Sequence, residues 1–369
     1  MCRTTQVRGG VAFGELREKM CEESMCDDEM CAAVRFIGNK IPSARHDRAT
    51  ILCRAVSQGL ARAVALLVDD REHIDDTDDD EYTPLFYACE DVAMVRQLLD
   101  ADANVNTRAS EGWVALMIAA AETADNCETL RVLLAYGANV DTRNDAGATA
   151  LIVATSQGHV EHVRLLIERK SDVNIVEENG MSSLHFACTD DASNKARLLL
   201  EANACTRSRS SEGYDALFYA CYNGSDSCVR LLMRFGALAN GLTHDGWTPL
   251  IIAAQNGYYR CAKTLLAAKA DLNAQVCDPD EGEGWTALMA ATTSGHAICA
   301  TELVRQGAHV NARCEDGRTA LFLACANGSK RIVRLLLHAN ADPTLGRGNI
   351  TCLEVASDAC AKLLVSEHG

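Results

Sequence analysis

The chain has 369 residues, of which 48% are hydrophobic, 23% charged and only 5% aromatic, with five prolines. That balance excludes a disordered or membrane-inserted polypeptide, and the length suits two or three domains or one elongated array. Lysine and arginine total 35 against 51 aspartates and glutamates, a net charge of −16 that argues against nucleic acid or an anionic membrane as partner.

In chain order, residues 1–29 read as a flexible acidic tail. They hold no long apolar run, and Cys21 to Cys31 lie among Glu22, Glu23, Asp27, Asp28 and Glu29, so no secretory signal is expected. The chain is therefore placed in the cytoplasm, with the nucleus as the other compartment where its 18 cysteines would stay reduced. Cys21, Cys26 and Cys31 each follow a methionine. This pattern suits either a soft metal or oxidant sensor or, as the preferred reading, an inert tail. Residues 30–48 form a cap helix and linker, because Met30, Ala33, Val34 and Ile37 fall at i, i+3, i+4 and i+7.

From residue 49 to 369 the sequence repeats. Thr83-Pro84-Leu85 recurs as Thr248-Pro249-Leu250 and, relaxed, as Thr149-Ala150-Leu151, Thr286-Ala287-Leu288 and Thr319-Ala320-Leu321. The anchor leucines are Leu52, Leu85, Leu116, Leu151, Leu184, Leu217, Leu250, Leu288, Leu321 and Leu353, spaced by 33, 31, 35, 33, 33, 33, 38, 33 and 32. Each unit reads as a helix, a tight turn such as Asn223-Gly224, a second helix carrying Val229, Leu231 and Leu232, and a hairpin-like loop closed by Asp245-Gly246 or its equivalent. A unit of this size cannot bury its own apolar face, so neighbours must stack. The last unit acts as a C-terminal cap, with Leu363-Leu364 completing its helix pair. Two residues are missing near Asp91-Val92, two are added around Thr123 to Asn126, and five are added within Gln275–Glu283. The last insertion should extend one hairpin into an acidic finger, either as a tolerated loop or as part of partner choice.

These residues resemble the ankyrin repeat family, whose units begin Thr-Pro-Leu-His. Gly158-His159 and Gly295-His296 match its turn, and Asn106, Asn174, Asn273 and Asn311 match its closing Val-Asn position. The resemblance spans roughly residues 44–369 and implies an all-α solenoid of about ten helix-turn-helix units with short hairpin loops. It also suggests those asparagines as hydroxylation positions.

Several chemistries find no residues to carry them. No HExxH, GxSxG or P-loop pattern occurs, and His159, His185 and His296 sit where the repeat uses histidine structurally. No enzyme, cofactor or metal site is expected. Cys89, Cys188, Cys221 and Cys325 lie four residues after their anchor leucines, and Cys228, Cys261 and Cys299 eleven after, both places for small buried side chains.

Binding is what the resemblance leaves, on a concave face made of hairpin tips and the exposed side of the first helix. In this chain those places lie six, five and three before each anchor leucine and five and six after. They hold sixteen acids and only two bases, Arg318 and Arg347. Arg96, Arg131, Arg164, Arg197, Arg230, Lys263 and Arg334 fall instead on the second helices. The expected partner-binding residues are Asp79, Asp80, Tyr82, Glu90, Asp91, Glu111, Trp113, Glu122, Asp190, Tyr214, Asp245, Trp247, Glu283 and Trp285. Acids beside aromatic rings attract ammonium and guanidinium groups. The expected function is a monomeric, non-enzymatic scaffold or adaptor for a basic protein or peptide. The alternative is the substrate-recognition subunit of a ubiquitin ligase, whose recruiting motif would have to lie in residues 1–40.

Overall fold

The computed structural model describes residues 52–68, 74–78, 80–121, 127–157, 159–278 and 282–368, excepting the side chains of 277, 278, 282, 283, 367 and 368. The expected tail, cap helix and Met-Cys segment lie outside these residues. So do Asp79, Glu122, the insertion around Thr123–Asn126 and the side chain of Glu283.

Local chemistry explains where each unit begins. Thr83, Thr248, Thr286 and Thr319 are extended, and their side chains accept the amide protons of Phe86, Ile251, Met289 and Phe322. Pro84 and Pro249 follow at the first helical position, where no amide proton is needed. The leucine after them turns inward, and the nine anchors from Leu52 to Leu321 are at most 4% exposed. Leu353 departs from this pattern and is 50% exposed. Its helix, Cys352–Val355, has only four residues.

The chain divides into two compact units between Ser171 and Asp172. The first contains four helix pairs: 52–57 with Ala61–Leu67, Pro84–Tyr87 with Val92–Asp100, Ala115–Ala121 with Glu128–Ala135, and Ala150–Gln157 with Val160–Glu168. The second contains six. Its first helices are Ser183–Thr189, Ala216–Tyr222, Pro249–Gln255, Ala287–Thr293, Ala320–Ala326 and Cys352–Val355. Their partners are Ser193–Glu201, Asp226–Arg234, Tyr259–Ala267, Ala297–Arg305, Lys330–His338 and Asp358–His368. Within each unit, first helices pack on first helices and second helices on second helices.

The cores are aliphatic with thiols among them. Cys89 is 1% exposed, and Cys188, Cys221, Cys228, Cys261, Cys299 and Cys325 are fully buried, as their repeat positions require. A hydrogen bond with Cys228, together with burial, raises the Cys188 thiol well above the ordinary range, and burial does the same to Cys221, which keeps both protonated and unreactive. Side-chain clasps join successive repeats at the loops. The Asn106 carboxamide oxygen accepts from the Asn139 amide at 2.8 Å, Asn174 does so from Cys205 at 2.7 Å, Asn273 from His309 and Asn311 from Asp342, both at 2.8 Å. At these junctions the closing asparagine ties its loop to the next.

The irregular spacings have structural consequences. Loss of two residues near Asp91 leaves the first helix of that unit with only Pro84–Tyr87. A single 3-10 turn, Ala88–Glu90, then leads directly into the second helix. The insertion after Gln275 extends its hairpin into two antiparallel strands, Val276–Asp278 and Gly282–Trp285, whose tip lies outside the described residues.

Glu81 stands four before its anchor, in the left-handed turn place that Gly147, Gly180, Gly213, Gly246 and Gly317 hold elsewhere, and has φ 64°. That conformation strains a residue with a Cβ. Glu81→Gly is expected to raise stability by up to about 1 kcal/mol after allowing for glycine's larger entropy loss. The urea midpoint would show it as a shift to higher denaturant, and an unchanged or lower midpoint would mean that no strain is stored there.

Candidate functional site

The hairpin tips are built from backbone that each repeat passes to its neighbour. In the first unit the Ser110 amide donates to the Glu81 carbonyl at 3.1 Å, and the Asp145 amide to that of Glu111 at 3.0 Å. In the second, the Ser211 amide donates to the Asn179 carbonyl at 2.7 Å. These bonds hold the backbone in register while the side chains at the tips point outward. Asp80, Glu111, Glu178, Glu212, Asp245 and Glu315 are all exposed.

Tyr82 is half-buried and lies on Phe86, with ring centroids 4.3 Å apart, while Tyr87 meets both rings edge-on. The Tyr87 hydroxyl donates to Asp78 at 2.6 Å, and the same carboxylate accepts the amides of Asp80 and Tyr82. Burial raises the Tyr82 hydroxyl, and the negative charges of Glu111 and Asp80 raise it further. In the second unit Tyr214 and Phe218 stack at 4.0 Å with planes 11° apart, and Tyr222 continues the stack at 6.3 Å from Phe218. Trp113 and Trp247 are half-buried at the corresponding places of their repeats.

Trp285 differs from the expectation. It is 2% exposed, held in the strand Gly282–Trp285 that the insertion creates. The Arg318 guanidinium sits over its ring, 5.8 Å from the centroid. Trp285 is thus a core residue with its own internal cation and is not an open anchor. Arg318 also pairs with Asp316 at 2.8 Å, and Arg347 reaches the same carboxylate at 3.0 Å. Burial alone would raise Asp316, but hydrogen bonds from Cys314 and Arg318 outweigh it and hold the carboxyl below its ordinary value. Arg318 and Arg347 therefore share one carboxylate of the chain.

Other expected residues have local partners. Asp91 caps the helix Val92–Asp100, accepting the amides of Ala93 and Met94 at 2.8 and 3.3 Å. Asp190 follows the helix Ser183–Thr189. Partial burial raises its carboxyl, and the ammonium of Lys195, a residue only 2% exposed, opposes that shift. Asp145 pairs with Arg108 at 2.8 Å. Glu90 is exposed at the end of its 3-10 turn.

The first-helix ends of the second unit are largely neutral. The Asn256 and Asn327 carboxamides donate to the carbonyls of Tyr222 and Thr293 at 3.5 and 2.9 Å. The exposed acids of that unit lie mostly at the hairpins. Sequence reasoning passed over the contribution of Phe86 and Phe218. The available signal was the octapeptide Tyr-x-x-Leu-Phe-Tyr-Ala-Cys, which occurs at both Tyr82–Cys89 and Tyr214–Cys221.

The family model for ankyrin repeats (3 copies) matches residues 26–109, 52–144, 116–209, 196–276 and 273–346. The chain belongs to the ankyrin repeat family. Among curated proteins none matches it. Solved structures similar to it include the ankyrin repeat domain of human ASB11, at 28% identity and a TM-score of 0.55, with 60% of this chain aligned to 99% of that one. The ankyrin repeat domain of Bcl-3, described as a unique member of the IkappaB family, matches at 30% identity and a TM-score of 0.53, with 58% of this chain aligned to 97% of that one. Ankyrin repeats are protein–protein interaction modules and are in general not enzymes. Among the described residues no helix is long and apolar enough to cross a membrane.

Proposed function

We propose that this ankyrin-repeat chain is a monomeric scaffold or adaptor, without catalysis of its own, that receives a basic protein or peptide on its hairpin tips. The observation that carries this reading is the charge state of the tips. The exposed carboxylates of Asp80 and Glu111 in the first unit and of Asp245 in the second form no ion pair among the described residues, while Arg318 and Arg347 of the second are bound to Asp316. A field of one sign over the tips of a unit accelerates encounter with the opposite charge and disfavours partners of like charge. The aromatic rings between the acids supply apolar contact area and cation–π attraction. The thirteen described free cysteines suit a reducing compartment, the cytoplasm or the nucleus.

Stopped-flow association with a labelled lysine-rich peptide and with its glutamate counterpart tests the polarity. The lysine peptide is expected to associate faster, and to slow as salt shortens the screening length from about 30 Å at 0.01 M to about 8 Å at 0.15 M. Tighter binding of the acidic peptide, or binding that strengthens with salt, would overturn the reading.

A further inference from the structure

The second helices of the second unit carry the opposite charge to the hairpin tips. The five from Ser193–Glu201 to Lys330–His338 hold nine exposed arginines and lysines against three acids. Two of those acids, Asp226 and Glu302, are half-buried and already bound within their own helices by Arg230 and Arg305. Lys330 and Arg331, in the first turn of Lys330–His338, and Arg334 one turn further on are exposed and enter no ion pair among the described residues.

Apolar surface lies in the same row. The helices Tyr259–Ala267, Ala297–Arg305 and Lys330–His338 pack on one another in that order, so their first turns bring Tyr259, Ile298 and Arg331 into adjacent places. Ile298 is 57% exposed and Tyr258 and Tyr259 are each 38% exposed. Local contacts hold the rings here in place. The Tyr258 ring lies against Gly224 so closely that a Cβ there would fall 2.5 Å from it, and His296 lies against Gly257 in the same way, at the same distance. The Arg260 Nε donates to the Tyr259 hydroxyl at 3.4 Å. An open apolar centre with a charged rim is the composition of a surface that meets another protein.

We propose that this row of first turns, Tyr259 and Ile298 with Lys330 and Arg331, is a second docking surface, which takes a short acidic segment of a partner protein carrying an aliphatic side chain at its centre. It shares no residue with the hairpin tips and has the opposite charge, so neither assignment depends on the other. Two steps between packed helices span about 20 Å. An extended segment of about six residues covers that length. The central apolar contact is required, because the net charge of −16 works against a segment that offers carboxylates alone. Single-stranded nucleic acid fits the row less well. Its charge at every residue meets the same net repulsion, and Ile298, the most exposed side chain of the row's apolar centre, offers no ring on which a base could stack.

The test uses the full chain and two labelled peptides of equal length and charge, one with glutamates around two central leucines and the other with serines in place of the leucines. Fluorescence anisotropy at about 0.15 M salt, where charges beyond about 8 Å are screened, is expected to show the leucine peptide binding about ten-fold tighter. Tyr259→Ser combined with Ile298→Ser should abolish that preference. Lys330→Gln combined with Arg331→Gln should weaken the leucine peptide by about five-fold. Arg96→Gln combined with Arg131→Gln removes the same charge from exposed places on second helices of the first unit and should change its affinity less than about two-fold. The substituted side chains are all exposed, and the two charge pairs keep the inference testable if the serine variant does not fold. No binding of the leucine peptide, or equal affinity for both peptides, would overturn the proposal. So would a preference that survives in the folded serine variant, or equal weakening by the two charge pairs. Tighter binding of an oligothymidine of the same length would assign the row to single-stranded nucleic acid and overturn it as well. None of these results bears on the basic partner at the tips.

Discussion

Lowering the pH from 7.5 to 5 is expected to cost the second unit about 2 kcal/mol through His185 alone. The ring is fully buried, and both nitrogens are committed. Nδ1 accepts the Ser182 amide proton at 2.9 Å, and Nε2 lies 3.0 Å from the Ser208 carbonyl oxygen. An amide can only donate and a carbonyl can only accept, so the neutral tautomer carries its proton on Nε2. A second proton would have to enter on Nδ1, facing the Ser182 amide, and would break the capping box that opens the helix Ser183–Thr189. Tyr219 meets the ring edge-on at 5.8 Å. Burial pushes His185 down from 6.5 to about 4, against the backbone hydrogen bonds to Ser208 and Tyr214 that favour the cation.

The sign follows from the direction of that shift. Between about 4 and 6.5 the unfolded chain binds a proton that the folded chain refuses, so stability from this group falls as pH drops through that window and levels off below it. Asp215 and Asp190 act oppositely, because burial raises their carboxyls and acid then favours the folded state. The His185 contribution must therefore be isolated against a variant. His185→Asn keeps an acceptor and a donor without titrating in this range. Urea unfolding of both proteins at pH 7.5 and pH 5 should show the native chain losing about 2 kcal/mol more than the variant over that interval. Equal losses would mean that His185 is not the titrating group.

Most of the fold was legible because it depends on a short, position-specific pattern written many times. Thr319 is an N-cap, Leu321 a core residue and Cys325 a small buried side chain for reasons that act within one helical turn, and each recurs about every 33 residues. Leu353 marks where that logic stops. Its register is that of the other anchors, but burial of an anchor depends on neighbouring repeats, which a local pattern cannot encode. The division between Ser171 and Asp172 is likewise a matter of packing between repeats and leaves no composition signal. Candidate site residues were harder to read, because a face position says where a side chain starts and not what it meets. Asp91 looked like a surplus surface charge and is a helix cap. Trp285 looked like an open ring, yet the inserted strand buries it and Arg318 covers it. Asp245, exposed and unpaired among the described residues, has the environment its position suggested.

If the tips act as a charged face and not merely as part of an acidic chain, removing two carboxylates there should matter far more than removing two elsewhere. Glu111→Gln with Asp245→Asn and Glu168→Gln with Glu201→Gln change the net charge equally. The first pair lies at hairpin tips, whereas Glu168 and Glu201 are exposed at the ends of second helices. An exposed ion pair contributes about 0.2–1 kcal/mol, so loss of two at the tips should weaken a lysine-rich peptide by about ten-fold at low salt. The second-helix pair should change affinity less than about two-fold, since charges beyond a screening length contribute little. Both variants keep every cap and clasp described above, so their melting temperatures should match that of the native chain. Raising the salt to about 1 M, where the screening length is about 3 Å, should bring all three proteins together. Isothermal titration at the two salt concentrations would decide the matter. Equal weakening by both pairs would show that net charge, and not the tips, attracts the peptide.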